Sequence, residues 1–151
     1  MYRMLVPVDV DETRAGAQAE AVLDLAAEMD DLQVEVLYVH EEIDAPADEA
    51  GTAYIDAINE NLQNLQGLPD STATFVDRLR EAGVDADVHS VTGDPATAIL
   101  ELADEFQVDT IVLGARRRSP VGKVLFGSVT QSVILDSDCP VTVAPEPRTE
   151  Q

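Results

Sequence analysis

Apolar residues along this chain recur with two alternating periods. Five short, valine-rich runs (Met4 to Val8, Val34 to Val39, Val84 to Val88, Thr110 to Leu113 and Val141 to Ala144) read as strands of the kind buried on both faces of a parallel sheet. Between them the spacing becomes helical. Ala15, Ala19, Val22, Ala26 and Met29 share one face of a first helix, and the alanines let it sit close to a sheet. Ile99, Leu102, Ala103 and Phe106 repeat at helical spacing, with Asp94 placed as N-cap and Pro95 at the first helical position. Ser128 and Gln131 have the spacing of a capping box, which starts a further helix just after Gly127.

Strands alternating with helices predict an α/β domain with a mostly parallel sheet and right-handed crossovers, its binding site at the carboxyl ends of the strands. Residues 41–70 break the rhythm. An acidic loop is followed by Ile55, Ile58, Leu62 and Leu65 on one helical face, closed by Gly67 and Pro69, and this predicts a helical insertion: either a lid or partner surface, or a helix packed on the sheet edge. The length suits a single domain over residues 1–147. Pro145 and Pro147 cannot donate to a strand ladder, so 148–151 is expected to be a loose tail.

Charge changes the picture. With 30 acidic residues against 9 lysines and arginines the formal charge is −21, which argues against nucleic acid or an anionic membrane as partner. The acids are spread along the whole chain, as expected of a surface adapted to a salt-rich, halophile-like cytoplasm where repulsion is screened. Cys139 is the lone cysteine and suits a reducing compartment. No signal-peptide run and no membrane-length apolar stretch is present, so the expected location is cytoplasmic.

One window reverses the acidity. Thr110 to Leu135 holds no aspartate or glutamate but contains Arg116, Arg117, Arg118 and Lys123, a local field suited to an anion. Gly114 ends a strand and lets a ligand approach the backbone, while Gly127 and Ser128 open a helix whose free amides favour phosphate. The alternative is a pair of turn glycines and an arginine loop that pairs with the acidic surface. Asp9, at the end of the first strand, can accept hydrogen bonds from a base or ribose; Asp11 and Glu12 fit a helix start. The window is not a Walker A loop, because Arg117 stands where glycine is required and Val124 where a hydroxyl should hold magnesium. The Gly-x-Gly-x-x-Gly fingerprint is absent as well. His40 and His89 have no Cys or His at ligand spacing, so no metal site is predicted. Ser119, Ser128 and Ser132 have no base partner, so no catalytic residue is predicted.

These residues resemble the universal stress protein family. Its ATP-binding members carry Gly-x-x-Gly, nine residues, then Gly-Ser/Thr after the fourth strand, and Gly114, Arg117, Gly127 and Ser128 occupy those positions here. Pro7-Val8-Asp9, Leu37-Tyr38-Val39-His40, Gly93-Asp94-Pro95 and Asp138-Cys139-Pro140-Val141 extend the likeness over nearly the whole chain. The resemblance implies a doubly wound, five-stranded parallel sheet in the order 3-2-1-4-5, with helices on both faces. It further implies a homodimer paired through the last strand, and ATP, with or without magnesium, or a related adenine nucleotide between the first and fourth strands. The residues it places at the nucleotide are Pro7, Val8, Asp9, Val39, Leu113, Gly114, Arg117, Gly127, Ser128, Val129 and Thr130, with Asp9 and Val39 toward adenine and ribose and the glycine loop toward ribose and phosphates. Arg117 departs from the pattern: a loop needing left-handed backbone there must be reshaped.

Two functions follow: a dimeric, nucleotide-binding stress regulator acting on a protein partner that the sequence does not name, or a dimeric interaction module of the same fold without nucleotide. An enzyme such as an ATP-pyrophosphatase ranks below both, since that class resembles proteins with Ser-Gly-Gly after the first strand, where this chain has Val8-Asp9-Val10-Asp11. Slow ATP hydrolysis is the most enzymatic activity expected.

Overall fold

Valine-rich runs favour burial on both faces, so they gather in one sheet with helices on both sides. The computed structural model describes residues 1–40, 61–62, 68–117 and 124–146. The chain order is β1 (Tyr2–Pro7), α1 (Glu12–Ala26), β2 (Leu32–His40), β3 (Asn61–Leu62), α2 (Asp70–Glu81), β4 (Asp85–Thr92), α3 (Pro95–Glu105), β5 (Thr110–Arg117), β6 (Val124–Leu125), α4 (Ser128–Asp136) and β7 (Val141–Pro145).

The long strands pair in parallel as β4-β2-β1-β5-β7, which in chain order is the expected 3-2-1-4-5. Two short antiparallel strands are added, β3 on the outer edge of β4 and β6 on the end of β5. The β3 pairing corrects one expectation. At Asn61–Leu62 the backbone is extended and Leu62 pairs with Val88, so Leu62 is not on a helix; the rest of the expected insertion lies outside the described residues, as does the tail at 148–151.

The sheet carries a core on each face. Met4, Val6, Val34 and Val36 pack on Ala15, Ala19 and Val22 of α1 and on Phe75, Val76 and Leu79 of α2. On the opposite face Leu5, Leu37, Ile111 and Leu113 meet Ala98, Ile99 and Leu102 of α3 and Val133 of α4. Helix α2 was not anticipated from the pattern. Burial of Phe75, Val76 and Leu79, roughly 1.5–3 kcal/mol each, holds it in place, and Gly83 ends it at φ +81°, a left-handed turn.

The helix starts follow the sequence at two of three places. Asp94 caps α3, accepting hydrogen bonds from the Thr97 N–H at 3.0 Å and the Thr97 hydroxyl at 2.9 Å. Asp11 caps α1 through the Arg14 N–H at 3.0 Å. At α4 the N-cap is Gly127, which has no side chain to offer, and Ser128 is already helical; the expected capping box does not form, and the Gln131 side-chain amide donates instead to the Phe126 carbonyl at 3.2 Å. Among the described residues no helix is long and apolar enough to cross a membrane.

Candidate functional site

Strands β1 and β5 are paired only at Met4 with Thr110 and Leu5 with Ile111. Beyond that point they part, because α1 packs on one face and α4 on the other, so strand order reverses here and the crossovers diverge. Gln18 of α1, 2% exposed, spans the gap. Its amide donates to the carbonyls of Pro7 at 2.8 Å and Val112 at 3.1 Å.

Above this bridge opens a crevice of about 1000 Å³. Its walls come from the β1–α1 turn, the end of β2, Leu113 to Ala115 of β5, and the start of α4. Of the eleven residues expected at a ligand, Pro7, Val8, Asp9, Val39, Leu113, Gly114, Gly127, Ser128, Val129 and Thr130 all line it. The eleventh, Arg117, is the last residue of β5 and pairs with Val124 of β6, as Arg116 does with Leu125. Its backbone is therefore extended. The chain reshapes this loop into a two-residue antiparallel ladder and uses no left-handed turn at 117. The side chains of Arg116 and Arg117, and all of Arg118 and Lys123, lie outside the described residues.

The first turn is held firmly. Asp9 Oδ1 accepts the Asp11 N–H at 2.9 Å, and the Asp9 carbonyl accepts the Ser71 hydroxyl, which ties the turn to α2. The Asp9 side chain is 54% exposed, and each carboxylate oxygen retains acceptor capacity beyond these contacts. Across the crevice, α4 begins with amides that no intrahelical carbonyl can satisfy, and its glycine cap contributes no side-chain acceptor. A Cβ added at Gly127 would meet nothing within 4 Å. That end of the helix is open to an anion.

Arg14 is the charged lining residue that sequence reasoning missed, and Gln18 was missed with it. A Cβ at Gly114 would lie 3.0 Å from Arg14 Cγ and 3.2 Å from Cδ, so the space above Gly114 holds the arginine stem, where open access for a ligand was expected. Arg14 Nη2 lies 3.1 Å from Asp9 Oδ2 and 3.6 Å from Asp11 Oδ2, and the side chain is 20% exposed. Arg14 and Gln18 are four apart, on a helix face beside the buried alanines. That spacing, with a cation in the first helical turn of so acidic a chain, was the available signal. The two histidines have protein partners: His40 Nε2 lies 2.9 Å from Ser90 Oγ, and His89 Nε2 lies 3.0 Å from Glu35 Oε1.

A doubly wound parallel sheet whose strands part at the order reversal, with a helix N-terminus at the opening, defines an α/β protein with a crevice at its switch point. The chain belongs to the universal stress protein family, which matches residues 1–145. It is 31% identical over 147 residues to universal stress protein YxiE of Bacillus subtilis, covering 93% of this chain and 97% of that one. A shorter match, 38% over 65 residues, is to stress response protein NhaX of the same organism; it covers 43% of this chain and spans only 39% of NhaX. Among solved structures, a universal stress protein from Archaeoglobus fulgidus superposes with a TM-score of 0.64 at 25% identity, covering 95% of this chain and 98% of that one. The same fold recurs in a universal stress protein from Archaeoglobus fulgidus in complex with dAMP (TM-score 0.58, 22% identity, 95% and 97% covered). It recurs again in a family protein from Arabidopsis thaliana with AMP bound (TM-score 0.64, 17% identity, 97% and 93% covered).

Proposed function

We propose that this protein is a dimeric stress regulator that binds ATP, with or without magnesium, or a related adenine nucleotide in the crevice between β1 and β5. The observation that carries the reading is the convergence of ten expected residues on one crevice that ends at a helix N-terminus without a side-chain cap. Its volume is at the upper end of the range for small-molecule sites, about 300–1000 Å³, and relatives of the same fold hold AMP and dAMP. Asp9 and Val39 face the base and ribose; Gly114 and Gly127 to Thr130 face the ribose and phosphates. The protein works in the cytoplasm on a protein partner, and a second copy pairs along β7.

The antiparallel ladder at Arg117 favours a second reading, in which the glycine turn of the phosphate loop is lost and the fold serves as an interaction module without nucleotide. Titration with ATP separates the two. The nucleotide reading expects binding by the wild type and a loss of about tenfold or more in Gly127→Val, whose methyl groups would enter the open space beside the first amides of α4. Absence of ATP binding by the folded wild type selects the interaction module, and equal affinity in wild type and variant removes the phosphates from α4.

A further inference from the structure

We infer that Arg14 selects phosphate-bearing ligands in this crevice, an inference that rests on the nucleotide reading above. Its stem lies over Gly114, and the side chain lines the same crevice as the start of α4. Among the described lining residues, Arg14 and Asp9 are the charged ones. Asp9 and Asp11 hold Nη2 at 3.1 and 3.6 Å, so both carboxylates of the turn converge on one nitrogen. One donor of the fork is not matched: among the described residues Nε is buried without a hydrogen-bond partner.

A guanidinium presents five donors in a fixed plane, and a buried donor without an acceptor is unfavourable. Although the chain has 30 acidic residues, none of those described supplies an oxygen to Nε. A phosphate arriving in the crevice brings several, two of which can accept the paired N–H bonds that an arginine fork donates once the side chain turns toward it. Charge points the same way. Without Arg14 an incoming phosphate would face the carboxylates of Asp9 and Asp11 with no cation among the described lining residues to neutralise them, whereas an uncharged nucleoside would be nearly indifferent. Gly114 fits this arrangement, since a Cβ there would press on the arginine stem at 3.0 Å from Cγ.

The experiment is a calorimetric titration of wild type, Arg14→Ala and Arg14→Lys with ATP, AMP and adenosine, with thermal melting as the folding control. Arg14→Ala should weaken ATP and AMP by about tenfold or more while leaving adenosine within about twofold, and Arg14→Lys should fall between. Equal weakening of all three ligands in both folded variants would mean a structural role and overturn the inference. Tighter ATP binding in Arg14→Ala would also overturn it, by making Arg14 a latch on Asp9. If Arg14→Ala fails to fold, the ratio of AMP to adenosine affinity in Arg14→Lys decides: a fall relative to wild type supports the inference and an unchanged ratio overturns it. Wild type that binds none of the three ligands ends the nucleotide reading and this inference together; wild type and Arg14→Ala binding ATP equally ends this inference alone.

Discussion

Glu35 is a carboxylate where the pattern of β2 calls for an apolar residue, and its surroundings explain why it is tolerated. It is buried, with Oε1 3.0 Å from His89 Nε2 and Oε2 accepting from the Gln33 amide at 3.1 Å, and the His89 ring is tilted against Phe106 at 4.7 Å. Burial pushes its pKa up, but the hydrogen bonds from His89 and Gln33, with the charges of His89 and Arg3, outweigh it and hold the carboxyl below its usual 4.5. The folded state therefore releases this proton more readily than the unfolded chain. The stabilising contribution is complete above 4.5 and is lost as pH falls through the lower folded value. Glu35→Gln is expected to lower the unfolding free energy by about 1–3 kcal/mol at neutral pH. Urea unfolding across a pH series should show this gap closing in acid. A gap that stays constant would remove the ionised carboxylate from the account.

At the scale of elements, β7 is the strand whose surroundings are least complete. It pairs in parallel with β5 from Val141 to Pro145, and among the described residues its other edge carries no strand. Val141, Thr142 and Val143 are only partly buried. An edge of β-branched residues without a protecting charge is an aggregation hazard unless covered. Pairing with the same strand of a second copy, as proposed above, would cover it and would end at Pro145, which cannot donate. If the proposed interface holds, the wild type should be a dimer in light scattering at molar KCl and Val143→Lys a monomer. A wild type already monomeric at micromolar concentration, or a variant with an unchanged dimer, contradicts this interface.

For the whole molecule the dominant quantity is the formal charge of −21. The ion pairs seen among the described residues include Asp9, Asp11, Asp31 and Glu35, a small share of the acids. Most of the remaining carboxylates repel one another over distances that salt controls, with a Debye length of about 10 Å at 0.1 M and about 3 Å at 1 M. The midpoint of thermal unfolding should therefore rise markedly from low to molar KCl, because the compact state concentrates the charge more than the unfolded chain does. A flat response would refute the halophilic reading. The same field also bears on the crevice, since an anion approaching so acidic a protein needs local cations and amides to reach it.

Some of this architecture could be read in the residues alone, for a physical reason. Parallel strands covered on both faces must be apolar almost continuously, so all five were visible, and the Asp94-Pro95 start of α3 follows from local backbone chemistry. Helix α2 was less visible because its stripe is short: Phe75, Val76 and Leu79 are joined in burial by the polar Ser71 and Thr72. Of the ten expected residues that line the crevice, Asp9, Gly114, Gly127 and Ser128 were legible from local chemistry at a strand end or helix start, and the other six came from the family resemblance. Arg14 over Gly114, Gln18 across β1 and β5, and the ladder that carries Arg117 were not legible. Each depends on segments far apart in the chain coming to one place, which sheet register and helix packing decide and no local pattern encodes. The residues by themselves determined the order of elements and the chemistry available at their ends. Tertiary structure alone decided which of those ends share a crevice, and that a cation from α1 stands inside it.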